Sequence, residues 1–171
     1  MADNWEKIDN RRVRVDIKGV KALNDTLQAA YRMRGEVGIL DDYEAASYMA
    51  EQEYGHMWKD VWVPARPWFR MTIVRMGERI SKKIAKGLVE LLAMRTQRPT
   101  FHLIEKVIIS SSVMLQKGLK KTIQQHVPPP LSKITVKEKK KKGYATPETP
   151  LYATGRAYKG ITYRIVKTNP K

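Results

Sequence analysis

The chain has no cysteine in 171 residues. That excludes a disulfide framework, a thiolate nucleophile and every zinc site built on sulfur. Histidine is scarce as well: His56, His102 and His126 stand far apart, and no pair has the i, i+4 spacing of a zinc helix. No glycine-rich phosphate loop is present, because Gly35-x-x-Gly38 lacks the lysine and the helix that should follow it. Apolar runs such as Leu91-Leu92-Ala93 and Val107-Ile108-Ile109 fall far short of the roughly 20 residues that cross a bilayer. Residues 1–10 hold three acids and no apolar stretch, unlike a secretory signal. The expectation is a soluble protein made in a cytoplasm, with no membrane contact.

Negative charge is the other shortage. Against 33 basic residues stand 17 acids, a net of +16. Seven of the acids (Glu36, Asp41, Asp42, Glu44, Glu51, Glu53 and Asp60) lie within 36–60, whose net charge is −6. Residues 66–100 carry +7 and residues 133–171 carry +9. Such a chain suits nucleic acid through phosphate neutralisation. It suits equally a second copy of itself, acidic segment against basic face.

What is present has a clear order. Val13, Val15 and Ile17 alternate with Arg12, Arg14, Asp16 and Lys18, which predicts a half-buried strand over 11–19. Val20, Leu23, Leu27, Ala30 and Tyr31 then recur at helical spacing until Gly35. A short strand follows over 36–40, and a helix over 44–54 with Asp42 or Tyr43 as its cap and Gly55 as its stop. Residues 56–66 read as a loop with exposed aromatics, held extended by Pro64 and Pro67. Phe69, Ile73, Met76, Ile80, Ile84, Leu88 and Leu91 mark one long amphipathic helix; Ile104, Ile108, Leu115, Leu119 and Ile123 mark another. The break at Arg98-Pro99 predicts that they pack antiparallel. Pro128-Pro129-Pro130 opens a stiff spacer, Ser132 caps a brief helix, and Ile161 to Lys167 alternates as a last strand. The sum is an α+β chain with a small, mostly antiparallel sheet of about three strands, packed with helices. Its organisation reads as an N-terminal tail over 1–10, a core over 11–127, an extended Pro/Lys-rich arm over 128–150, and a turn and strand over 151–171 that return to the core sheet.

Chemistry-bearing constellations are few. Asp41-Asp42 resembles half of a nuclease metal site, but metal-assisted hydrolysis needs carboxylates converging from separate elements, and a turn followed by a solvated helix accounts for the pair. Ser110-Ser111-Ser112 lies inside a helical run and not on a nucleophile elbow. No catalytic residue, metal or cofactor is expected. Trp58 and Trp62 suit a partner interface, whereas Trp68 and Phe69 begin an apolar stripe and belong to the core. Lys139, Lys140, Lys141 and Lys142 fit either phosphate contacts or a solvated loop awaiting a partner.

Four segments share a further pattern: Tyr48-Met-Ala-Glu-Gln-Glu53-Tyr54-Gly55, Val63-Pro64-Ala65-Arg66-Pro67-Trp68-Phe69-Arg70, Pro129-Pro130-Leu131-Ser132-Lys-Ile-Thr135-Val-Lys137, and Pro150-Leu151-Tyr152-Ala153-Thr154-Gly155 with Ile161-Thr-Tyr163-Arg164-Ile165 after it. In this order they resemble the tail-completion, or head–tail joining (neck), family of tailed bacteriophages, over residues 11–167. The resemblance implies a non-enzymatic virion protein that closes into a homo-oligomeric ring. Its partners would be portal or adaptor proteins and tail-terminator or tail-tube proteins, with genomic DNA passing through the lumen. Expected interface residues are Trp58, Trp62, Val63, Arg66, Pro129, Leu131 and Lys139 to Lys142. Glu53, Gly55, Pro64, Pro67, Thr154 and Gly155 look architectural, and Arg66 is placed to hold a carboxylate such as Glu53. A general basic nucleic-acid-binding protein is the alternative.

Overall fold

A computed structural model describes residues 5–8, 11–14, 17–93 and 101–168. Strands β1 (Trp5–Ile8) and β2 (Arg11–Arg14) form an antiparallel hairpin, Trp5 opposite Arg14 and Ile8 opposite Arg11. The strand expected over 11–19 is therefore shorter, and the supposed tail supplies its partner. Ile17 fits both the strand period and the helical one, and it begins α1 (Ile17–Tyr31). A longer element that propagates one hydrogen bond per residue takes it.

Strand β3 (Met33–Ile39) pairs antiparallel with β6 (Ile161–Lys167), Met33 opposite Lys167 and Ile39 opposite Ile161. The class is α+β as expected, but the strands are distributed differently. The N-terminal strand does not join β3 and β6; the described strands form three separate two-stranded ribbons.

Helix α2 (Tyr43–Tyr54) starts at Asp42, whose Oδ1 accepts the Ala45 amide at 3.0 Å, and stops at Gly55. Strands β4 (His56–Trp58) and β5 (Val61–Val63) make a second hairpin where a loop was expected. Lys59 and Asp60 turn it with positive φ angles of 42° and 32°, the handedness that matches strand twist.

Helices α3 (Trp68–Ala93) and α4 (Phe101–Gln124) are packed together. The Arg98-Pro99 break lies outside the described residues. Their antiparallel register is direct: the Thr72 and Thr122 hydroxyls are 2.7 Å apart, Arg75 donates to Gln125 Oε1 at 3.0 Å, Met76 lies over Gly118, and Val107 faces Gly87. A Cβ at Gly118 would meet the Met76 thioether and lie 3.3 Å from Thr72 Cγ2, so the helices approach closely there and a larger residue would displace the Met76 side chain. Two short helices, α5 (Lys133–Lys141) and α6 (Arg156–Gly160), complete the described elements. Ser132 Oγ accepts the Thr135 amide at 3.1 Å, the expected cap of α5.

The main core gathers Met49, Trp68, Leu119, Ile123, Val127, Leu151 and Ile161; a smaller one joins Ala29, Met33 and Ile104. The α4 stripe is thus in the core, and Trp68 enters it with its indole N–H donating to Met49 O at 3.1 Å. Of the α1 stripe, only Ala30 packs against a core. Thr26 and Ala29 face inward, while Val20, Leu23, Leu27 and Tyr31 are 41–88% exposed. Small residues on the other face let α1 lie close to α4 and β3, turning the large apolar side chains away from the subunit. None of the described helices is long and apolar enough to cross a membrane.

Candidate functional site

The four segments singled out in the sequence meet in space. Arg66 is 5% exposed and is the hub. Its amide donates to Gln52 O at 2.6 Å, its Nη1 to Gln52 Oε1 at 3.1 Å, and its Nε to Pro129 O at 3.1 Å. One side chain thereby ties the end of α2, the approach to α3 and the proline segment. Lys139 continues the knot: its ammonium is buried and donates to Thr149 O at 2.7 Å, with Tyr152 O at 3.4 Å and Pro150 O at 3.5 Å. Neither cation has a carboxylate partner among the described residues. Burial pulls both below their ordinary pKa values, and for Lys139 the nearby Arg66 charge acts in the same direction. Burial also raises the Tyr48 hydroxyl, with Arg66 opposing the rise.

Glu53 was expected on Arg66 and is instead on Arg70. Its buried carboxylate accepts the Phe69 amide at 2.8 Å, the Arg70 amide at 3.2 Å and Arg70 Nε at 2.8 Å, while Arg70 Nη2 reaches back to Glu53 O at 2.9 Å. The open amides and positive end of α3 attract the carboxylate, and Arg70 comes with them. Arg66 is then left to neutral oxygens. Gly55 carries the chain out of α2 at φ +79°, and a Cβ there would lie 2.8 Å from the Trp62 ring and 2.9 Å from Val63 O.

The Pro150–Gly155 turn is held from another side. Gly155 adopts φ +75°, Thr154 Oγ1 accepts the Arg156 amide at 3.3 Å, and Arg156 grips Asp42 with Nε (2.6 Å) and Nη2 (2.8 Å) and Glu44 with Nη1 (2.7 Å). The Arg156 hydrogen bonds and the Ala45 amide hold Asp42 below the usual carboxylate range. Asp42 is thus a helix cap and an ion-pair partner, while Asp41 is exposed beside it. No group of three or more metal-ligating side chains occurs among the described residues.

The expected interface residues divide. Trp58 and Trp62 are 64% and 58% exposed on the β4–β5 hairpin, alongside Met57 and Val61. Register sets Trp58 across from Val61 and Met57 across from Trp62, so both faces of the ribbon are apolar. Val63 and Leu131 are half-buried and Pro64 is exposed. Arg66 and Lys139 are buried in the knot, and Pro129 joins it through its carbonyl. The supposed arm is consequently folded back onto the core, and of the lysine run only Lys140, Lys141 and Lys142 are exposed. Lys140 lies 3.6 Å from Glu148. Gln52, Arg70 and Arg156 were missed, since partners 14 to 114 residues away in sequence leave no local pattern.

No protein-family model matches the chain, and neither the curated proteins nor the solved structures contain a significant match to it.

Proposed function

We propose that the protein is a structural subunit of a phage neck, closing head-to-tail into a ring that joins head to tail. The observation that carries this reading is the pair of uncovered apolar surfaces: the α1 stripe of Val20, Leu23, Leu27 and Tyr31, and the β4–β5 hairpin with Trp58 and Trp62. Exposed apolar patches of this kind mark protein contacts. Two different patches on one chain suit a heterologous contact, which generates a ring when its rotation closes. The resemblance of the four segments to neck proteins supplies the context, and their convergence on Arg66 and Lys139 supports reading them as one motif. The motif side chains hold backbone and helix ends, which favours an architectural role over a catalytic one.

Deleting the gene from a phage that carries it, and imaging the lysate by negative-stain electron microscopy, tests the reading. Filled heads lying apart from complete tails are expected. Normal, infectious particles would sink it.

A further inference from the structure

A groove of about 600 Å³ runs between α3 and α4 on the face lined by Thr72, Met76 and Gly118. Its walls carry Arg75, Arg79 and Lys83 from α3 and Lys117 and Lys121 from α4, and no acid lines it. None of these five pairs with a carboxylate among the described residues. The neighbouring acids of α3 are engaged elsewhere, Glu78 with Lys82 at 2.6 Å and Glu90 with Lys86 at 3.9 Å.

The cations form two rows. Arg75, Arg79 and Lys83 recur every four residues, so they step along α3 by about 6 Å. Lys117 and Lys121 do the same on α4, antiparallel across the groove. Unpaired cations along both walls suit the line of charges on a nucleic-acid backbone, which proteins neutralise with Lys and Arg. The groove contains no aromatic side chain, so it is not a platform on which single-stranded bases stack.

A second copy is a poor source of the anion. Four of the seven acids of the acidic segment are neutralised within their own subunit: Glu36 by Arg34 and Arg164, Asp42 and Glu44 by Arg156, and Glu53 by Arg70. We infer that the α3–α4 groove binds the phosphate backbone of duplex DNA without reading its sequence. The inference concerns the subunit itself and stands whether or not a ring forms.

Fluorescence anisotropy with the full chain and a labelled duplex of arbitrary sequence, over a range of salt, tests it. The variant Arg79→Gln/Lys83→Gln/Lys117→Gln/Lys121→Gln changes only exposed side chains, and its melting temperature verifies folding. Its affinity at low salt is expected to fall by about tenfold or more, with a log–log salt slope shallower by about 3 to 4. The control Lys140→Gln/Lys141→Gln/Lys142→Gln is expected to change both far less. Loss in the control with none in the groove variant would assign binding to the lysine run and overturn the inference. So would tighter binding of poly-glutamate than of the duplex at equal charge concentration, which would mark a surface for acidic protein. Sedimentation of the same samples reads ring closure separately, so the two readings fail independently.

Discussion

Lys139 shows how far one side chain can depart from its surroundings in sequence. It stands first in a run of four lysines, yet it alone is buried, its ammonium closing a cage of backbone carbonyls from the 149–152 turn. Lys139→Met keeps the stem and removes the donors, leaving those carbonyls unsatisfied. A loss of about 2 kcal/mol, read as a lower urea midpoint, is expected, whereas Lys141→Met should be close to neutral. Asp42 makes a pH-dependent contribution of known sign. Its folded pKa lies below the ordinary 3.8, so near that pH the unfolded chain binds more protons than the folded one, and stability rises with pH. The contribution is complete above the ordinary value and is lost as pH falls through the lowered one. Thermal melts from neutral to acid pH should therefore show a drop beginning near pH 4, and Asp42→Asn should flatten that drop as well as lower the neutral melting temperature.

Helix α3 buries its side chains most deeply at one end. Helix α3 is 26 residues long, about 39 Å by its rise, but its fully buried side chains, Trp68 and Thr72, both sit in the first turns. Glu53 fixes this anchored end by accepting two amides and the Arg70 guanidinium. Glu53→Gln preserves shape and removes the charge that the helix terminus and Arg70 attract. It is expected to cost about 1–2 kcal/mol in chemical denaturation, with Arg70→Gln costing less because Arg70 is more exposed than Glu53. Helix positions were legible from periodicity and punctuation: α2, α3, α4 and α5 lie where they were expected, with Asp42, Pro67, Ser132 and Gly55 marking ends locally. The β4–β5 hairpin was not, because its Lys59–Asp60 turn has neither the glycine nor the asparagine that normally signals one.

At the scale of the whole molecule, the uncovered apolar surfaces make the sharpest claim. In a head-to-tail ring, Leu27→Asp disables one face and Trp58→Ser the other. Both residues are more than half exposed, so both variants should remain folded by circular dichroism. Each alone should sediment as a monomer where the parent forms a ring. Mixed in equal amounts they should give a dimer and nothing larger, since one intact contact is left between the two kinds of subunit. A mixture that restores the ring, or single variants that assemble like the parent, would rule out these two surfaces as the contact.

The amino-acid order by itself determined the α+β class, the long amphipathic helices, the caps and stops, and the strand over 161–167, because these follow from periods and punctuation within a few turns of chain. It also marked Arg66, Pro129 and Lys139 as special. Which of them touch was decided only by tertiary structure. Whether Glu53 met Arg66 or Arg70 depended on where the amides of α3 would open. Which face of α1 lay inward depended on how closely a helix can approach α4 and β3, and that closeness placed Thr26 and Ala29 inside and the larger apolar side chains outside. Lys139 became a core residue only because the 149–152 turn presented carbonyls with no other donor. Local pattern sets what a segment can become, and the partner groups that must be satisfied on burial are chosen at a distance.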